Sequence, residues 1–319
     1  MKISRLLSRL RNGFSTLKKV AAPLSRRAAP AALRLSALLL PVVGLESVSW
    51  AQTSNAASAS VVTPGQSIIL GLVQGLTEFI PVSSSAHLNI AHALMGHPRE
   101  LAFDVMLSIG TTLALAWYYR HDWKALLTDP RQAKLRNLVF LACVPAALFA
   151  LVIGKFESRP PLSLPSFNAA MLLIAGAILL YADKTSRQTR DLESVSVKDS
   201  ILVGIAQGLA LIPGVSRSGA TLTAGRFLGF NRESAMRFSF LMSLPISVAA
   251  IVHQYKDFGH IHAPLSSLVL GTVTSAVSGF WAIGFLLNFL KKRDVTPFFI
   301  WRAVVALVVF VMAHFGLLK

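Results

Sequence analysis

The chain has 319 residues, of which 54% are hydrophobic and 14% are charged, and its mean hydropathy is +0.59. Soluble domains carry about a quarter charged residues, so this composition excludes an ordinary soluble protein. The net charge of +17 includes nine Lys and Arg and no acid in residues 1–45, and the remaining excess lies mostly in short loops between apolar runs. That distribution favours the positive-inside pattern of an inner-membrane protein and predicts no nucleic-acid partner.

The first 60 residues differ from the rest of the chain. A basic segment leads into a short apolar region at Leu33–Val43, and Ser49-Trp50-Ala51 resembles a small-x-small cleavage site. We expect residues 1–60 to form a basic N-terminal extension, either a secretory signal or an organellar transit segment. A disordered basic tail lying on anionic lipid is the alternative interpretation.

Residues 61–319 predict a single all-α, polytopic membrane domain. Six apolar runs are long enough to cross the hydrocarbon core, and they lack the alternation of barrel strands. The basic loops at 120–136, 183–199 and 291–294 are placed inside by the positive-inside rule, which leaves both termini outside. The six expected spans are 101–119, 137–154, 166–182, 234–253, 266–289 and 297–317.

An internal repeat surrounds the most polar of the apolar segments. Residues 67–85 align without gaps to residues 200–218, and nine of the 19 positions are identical. We call residues 67–96 the first hairpin and residues 200–230 the second hairpin, because proline and small polar residues interrupt both runs. Irregular backbone at membrane depth lines a cavity or is buried in protein, so both are predicted to be re-entrant helix–loop–helix hairpins.

The charge bias makes the two hairpins enter from opposite sides. The prediction is an inverted-topology repeat of about 64–182 and 198–319, with a site where the two halves meet. Inverted repeats and broken helices are also typical of transporters. Transport therefore stays open as an alternative at this point.

The first hairpin carries a carboxylate in an apolar environment. Gln74 and Glu78 are four residues apart and share one helix face. A buried acid needs a cation, a metal or a proton, so Glu78 is predicted to be a metal ligand or a general base. A purely structural ion pair between Glu78 and Arg217 is the alternative.

Three serines and a histidine follow in the same hairpin. Ser83, Ser84 and Ser85 need hydrogen-bond partners inside an apolar segment, and His87 lies within reach of Ser84 if a helix begins there. Serine–histidine proximity is the arrangement that activates a hydroxyl nucleophile. Whether a serine, the histidine or a water attacks is left open, and His87 as a structural residue is the alternative.

The second hairpin contains the sequence PGVSRSGAT at 213–221. Pro213 ends the preceding helix, and Ser216 and Ser218 are candidate caps of the next one. Arg217 among hydroxyls at a helix N-terminus forms an anion site, and Thr221 lies one turn further on. This loop is therefore predicted to bind phosphate.

The pair Gln74-x-x-x-Glu78 continuing into PVSSSAH, together with PGVSRSGAT, resembles the undecaprenyl-diphosphatase (bacitracin-resistance) family over about residues 64–319. The resemblance implies a multi-pass enzyme of the bacterial inner membrane with its site open to the periplasm. Such an enzyme hydrolyses undecaprenyl diphosphate to undecaprenyl phosphate and inorganic phosphate, and so recycles the lipid carrier for peptidoglycan synthesis. The alternative is a polyprenyl-phosphate flippase or an anion transporter that uses the same site.

The family motifs also imply roles for individual residues. Gln74, where many members have Glu, and Glu78 would organise a divalent metal, Mg²⁺ or Ca²⁺, or a base. Ser84 or His87 would supply or activate the nucleophile. The resemblance also suggests a homodimer. The phosphates would be held by Ser83, Ser216, Arg217, Ser218 and Thr221.

Overall fold

A computed structural model of the protein describes residues 61–96, 99–153, 159–254 and 263–318. The expected N-terminal extension and its cleavage site lie outside the described residues. The described chain forms eleven α-helices, two short 3-10 turns and one isolated bridge between Arg190 and Phe230. The helices are α1 Pro64–Phe79, α2 Ser84–Leu94, α3 Leu101–Tyr118, α4 Arg120–Thr128, α5 Ala133–Ile153, α6 Pro165–Thr185, α7 Val197–Leu209, α8 Arg217–Phe227, α9 Arg232–His253, α10 Leu265–Lys292 and α11 Thr296–His314.

Five of these helices are long and apolar enough to cross a membrane, namely α5 with the 3-10 turn before it, α6, α9, α10 and α11. The sixth expected span forms α3, whose apolar segment Ala102–Tyr118 is shorter. The predicted fold class, an all-α multi-pass membrane protein, is confirmed. The re-entrant insertion of the hairpins and the division into two inverted repeats stay predictions.

The repeat extends to the caps of the helices. Thr63 and Gln66 form a capping box at the start of α1, and Ser196 and Asp199 form one at the start of α7. Each cap accepts from the third backbone N–H of its helix, and the third side chain reaches back to the cap, which satisfies two otherwise unpaired donors. The first helix of each hairpin therefore begins in the same way, 133 positions apart.

Each of these first helices packs against a span of the other half. A Cβ at Gly71 of α1 would lie 2.4 Å from the carbonyl oxygen of Gly271 in α10, and one at Gly204 of α7 would lie 2.2 Å from that of Ala142 in α5. Only glycine permits such close backbone contact. Gly71 and Gly204 are thus the positions at which α1 packs closely on α10 and α7 packs closely on α5.

The two hairpins also break in the same way. Ser83 and Ser216, at equivalent positions of the repeat, both have positive φ, of 72° and 73°. Such a conformation costs a residue with a side chain about 1–3 kcal/mol and persists only when the surroundings impose it. The hydroxyl of Ser218 donates to the carbonyl of Ile80 at 3.3 Å. The two breaks therefore lie side by side, and α2 and α8 start next to each other.

Candidate active site

Glu78 lies at the centre of the site, in the last turn of α1. Its Oε2 accepts from the hydroxyl of Ser84 at 2.7 Å and from the amide of Gln74 at 3.1 Å. Its Oε1 accepts from Arg217 Nη2 at 2.5 Å. Ser84 and Arg217 are the first residues of α2 and α8 and hold equivalent positions in the repeat. One carboxylate therefore joins the two hairpins.

Arg217 has a second partner in a neighbouring span. Its Nη1 donates to Ser247 Oγ of α9 at 2.6 Å. The side chains of Arg217 and Glu78 are 24% and 17% exposed. The ion pair considered as an alternative from the sequence is thus present, and both of its side chains are partly exposed.

Gln74 is the buried oxygen donor beside Glu78. Its amide nitrogen also approaches Ser108 Oγ at 3.4 Å. Its Oε1 is buried without a hydrogen-bond partner in the described part of the chain. A free buried oxygen next to a carboxylate fits the oxygen ligands that Mg²⁺ and Ca²⁺ prefer. The described residues hold no group of three or more His, Cys, Asp or Glu suited to a metal, so such an ion would need further oxygens from a ligand.

His87 has partners at both ring nitrogens. Trp301 of α11 donates its indole N–H to Nε2 at 2.8 Å, and the rings stack with centroids 6.1 Å apart. Nδ1 lies 2.8 Å from the carbonyl of Ser83, so this geometry assigns the neutral tautomer with its proton on Nδ1. Because the imidazole of His87 contacts the carbonyl of Ser83 and the indole of Trp301, the hydroxyl of Ser84 donates to Glu78 and not to His87. The structure brings Ser84 together with the carboxylate and places His87 beside the indole.

The remaining serines pair within each loop. Ser83 Oγ lies 3.1 Å from Ser85 Oγ, and Ser216 Oγ lies 3.3 Å from Ser218 Oγ, which again are equivalent pairs. Ser216 Oγ also accepts from the N–H of Gly219 at 3.3 Å, so the predicted cap of α8 at Ser216 is confirmed. Ser83 makes no such capping bond. The hydroxyls of both loops thus surround the N-termini of α2 and α8.

Thr221 lies deeper than the other predicted phosphate ligands. It is fully buried, and its hydroxyl lies 2.6 Å from Ser239 Oγ and 2.9 Å from the carbonyl of Arg217. These contacts join the first turn of α8 to α9. Thr221 therefore links the helix turn that carries Arg217 to α9.

Two further residues of the site come from α11, and the sequence reasoning missed both. Trp301 binds His87, as described above. Arg302 is fully buried, and its Nε donates to the carbonyl of Leu172 at 2.9 Å while Nη2 donates to that of Gly214 at 2.9 Å. An ionisable residue inside the expected span 297–317 was the available signal, because such residues are rare in membranes without a function.

These contacts define what the site can do. A carboxylate accepts a hydrogen bond from a serine hydroxyl, and a partly exposed guanidinium donates to the other carboxylate oxygen. Positioned charge and an activated oxygen are the main requirements of phosphoryl transfer. The arrangement is suited to binding a phosphate and to attacking it.

The family model described as "Bacitracin resistance protein BacA" matches residues 67–308 of this chain. A protein of Gemmatimonas aurantiaca named undecaprenyl-diphosphatase is 40% identical over 260 residues, which cover 78% of this chain and 97% of the relative. A protein of Stutzerimonas stutzeri named undecaprenyl-diphosphatase 2 is 41% identical over 266 residues, 77% of this chain and 97% of the relative. A third, from Pelotomaculum thermopropionicum and also named undecaprenyl-diphosphatase, is 37% identical over 257 residues, 78% of this chain and 96% of the relative. The chain therefore belongs to the bacitracin resistance protein BacA family.

Proposed function

We propose that this protein hydrolyses undecaprenyl diphosphate to undecaprenyl phosphate and inorganic phosphate. The observation that carries the proposal is the convergence of Ser84 and Arg217, one from each hairpin, on the two oxygens of Glu78. The names of the relatives favour this reaction over a flippase or an anion transporter. A transporter would need the arginine, but it would not need a carboxylate hydrogen-bonded to a serine hydroxyl.

Substrate binding starts at Arg217. A diphosphate carries more negative charge than one carboxylate, and it can take both N–H groups of the guanidinium fork. Exchange of Glu78 for a phosphate oxygen frees the carboxylate at the moment when the substrate arrives. The hydroxyls at the N-termini of α2 and α8, from Ser83, Ser216 and Ser218, supply further donors to the phosphate oxygens.

The chemical step is assigned to Ser84. Its Oγ attacks the terminal phosphorus, the anhydride P–O bond breaks, and undecaprenyl phosphate leaves. The hydroxyl proton passes to Glu78 Oε2, its partner at 2.7 Å. Water then attacks the phosphorus and the bond between Ser84 Oγ and phosphorus breaks. Glu78 returns its proton to Ser84 Oγ, and the phosphorus leaves with the water oxygen as inorganic phosphate. His87 holds the turn at Ser83 in place through its Nδ1 proton.

A divalent cation, Mg²⁺ or Ca²⁺, belongs to this proposal as a cofactor. Gln74 Oε1 and Glu78 would hold it, with phosphate oxygens completing the oxygen shell. When bound, such an ion neutralises charge on the phosphates. The free oxygen of Gln74 supports this assignment.

The family and the charge bias of the loops support a proposed setting for the reaction. We place the protein in the bacterial inner membrane with the site open to the periplasm, where it recycles the carrier for peptidoglycan synthesis. Homodimer formation stays a prediction.

The orientation of the protein in the membrane is tested with Lys124→Cys and Lys291→Cys in a Cys143→Ala background. An impermeant reagent added to sealed cells should label neither, and labelling at either site contradicts the orientation.

The decisive measurement is phosphate release from a C55 or C15 prenyl diphosphate by the purified protein in detergent. We expect release that depends on Mg²⁺ or Ca²⁺ and is lost in chelator. The variant Cys143→Ala should retain full activity, because Cys143 contacts backbone carbonyls of α5 and α9 away from the carboxylate. No release by the wild-type protein with either metal would refute the diphosphatase.

A further inference from the structure

Two arginines, Arg226 and Arg302, are completely buried in the described part of the chain, and only the first is paired with a carboxylate. Arg226 of α8 donates to the carboxylate of Asp183 at 2.8 Å, and that carboxylate also pairs with Arg232. Every hydrogen bond that the structure describes for Arg302 of α11 goes to a backbone carbonyl. A buried charge without a counter-charge is costly, so its position in the molecule requires an explanation.

Arg302 contacts the break of both hairpins. Its Nη1 donates to the carbonyl of Pro81 at 3.4 Å, in the first hairpin. Its Nη2 donates to the carbonyls of Gly214 at 2.9 Å and Val215 at 3.0 Å, in the second hairpin. Its Nε donates to Leu172 of α6. One planar guanidinium therefore spans the two loops that carry Ser84 and Arg217.

The surrounding helices leave a space that the guanidinium fills. A Cβ at Gly176 of α6 would lie 3.0 Å from Arg302 Nε, and one at Gly219 of α8 would lie 3.0 Å from Nη1. Gly219 is also the residue whose N–H bonds to the cap Ser216. The charge of Arg302 thus lies next to the first turn of α8, where the helix N-terminus and Arg217 already favour an anion.

We propose that Arg302 is a positioning residue for the phosphatase site, a role that rests on the proposed function. Its fork fixes the distance between the two loops, and so sets Ser84 and Glu78 against Arg217. When Glu78 neutralises Arg217, the described residues also leave the positive charge of Arg302 without a paired carboxylate. The substrate diphosphate supplies the missing negative charge, which makes Arg302 a determinant of affinity for anionic substrate without a direct contact.

The test compares Arg302→Met and Arg302→Lys with the matched pair Arg226→Met and Arg226→Lys. For each purified variant we would measure the melting temperature, kcat and KM per folded molecule, and the inhibition constant of inorganic diphosphate. Arg302→Met should lower kcat/KM by about 100-fold or more, since a displacement of about 1 Å at a reacting centre has that effect. Arg302→Met should also raise the inhibition constant of inorganic diphosphate, because the positive charge is lost. Arg302→Lys keeps the charge but loses the fork, so its inhibition constant should return towards the wild-type value while kcat stays low.

The Arg226 variants separate the positioning role of Arg302 from a general effect of buried arginines on stability. Arg226→Lys should lower the melting temperature and leave kcat and KM of the folded fraction near wild type. If Arg302→Met does not fold, Arg302→Lys still decides through its split between affinity and kcat. Wild-type kcat and KM in folded Arg302 variants would overturn the proposal, as would an equal loss per folded molecule in the Arg226 variants. Absence of hydrolysis by the wild type would instead refute the proposed function.

Discussion

The two hairpins share a backbone but carry different chemistry. Both begin at a capping box, pack through glycines on a span of the other half, and break at a serine with positive φ. The polar residues of the candidate site differ between the two hairpins. Glu78 corresponds to Leu211, and His87 corresponds to Ala220. The two hairpins thus have the same backbone features, while their polar residues are complementary.

The difference shows how one site is made from two similar loops. The first hairpin supplies the carboxylate and hydroxyl, and the second supplies the cation at the position equivalent to Ser84. Under the proposed function, neither loop alone would both bind a diphosphate and activate a nucleophile. The first helix of each hairpin packs on a span of the opposite half, and Arg302 of α11 bridges the two breaks, so the two parts meet.

The largest effect is expected where the second hairpin is made like the first. Arg217→Ser places a serine at the position equivalent to Ser84 and removes the phosphate ligand. We expect kcat/KM for a prenyl diphosphate to fall by about 10³–10⁵, the range for arginines that stabilise phosphoryl transfer. Arg217→Lys should recover only part of this, because an ammonium lacks the guanidinium fork. A folded Arg217→Ser variant within tenfold of wild type would disprove the assignment.

Removing the acid of the first hairpin should have a different kinetic signature. Glu78→Gln deletes the proton acceptor of Ser84, which we expect to lower kcat by about 10²–10⁴. The same change releases Arg217 from its carboxylate partner, so KM should stay the same or fall. Because Glu78 is also a proposed metal ligand, both values are measured by steady-state kinetics in saturating Mg²⁺, where weaker metal binding does not raise KM. An increase in KM with an unchanged kcat would show instead that Glu78 serves only to bind substrate.

Glycine substitutions of Ser83 and Ser216 test whether the two positive-φ positions contribute equally to the free energy of unfolding. Ser83→Gly should stabilise the protein by about 1–3 kcal/mol, because glycine adopts positive φ without strain and Ser83 makes no capping bond. Ser216→Gly relieves the same strain but loses the bond to Gly219, which offsets about 0.5–2 kcal/mol. Thermal unfolding in detergent should therefore rank Ser83→Gly above Ser216→Gly. The reverse order would mean that the cap does not distinguish the two breaks.

The two hairpins and their central acid could be predicted from the sequence, because the internal repeat and a carboxylate in an apolar run can be recognised without a structure. The convergence of Glu78 and Arg217 was considered as an ion pair, and the helix–break–helix form followed from the prolines. The partner of His87 could not be predicted, since Trp301 lies 214 positions later and reaches the hairpin only through the packing of α11. Arg302 was visible as a charge in a span, but its carbonyl partners depend on how the two loops meet.

The smallest expected effect concerns the equivalent glutamines, which share a sequence position but differ in their environment. Gln74 donates to Glu78, whereas both amide atoms of Gln207 are buried without a partner in the described structure. An unsatisfied buried polar group costs about 1–3 kcal/mol, so Gln207→Met should raise the melting temperature and leave activity unchanged. Gln74→Met should lower activity and gain less stability, because it removes the unpartnered Oε1 but also loses the hydrogen bond from the amide nitrogen to Glu78. If Gln207→Met instead lowers the melting temperature, the amide of Gln207 has a bound partner, and the second hairpin retains a polar site of its own.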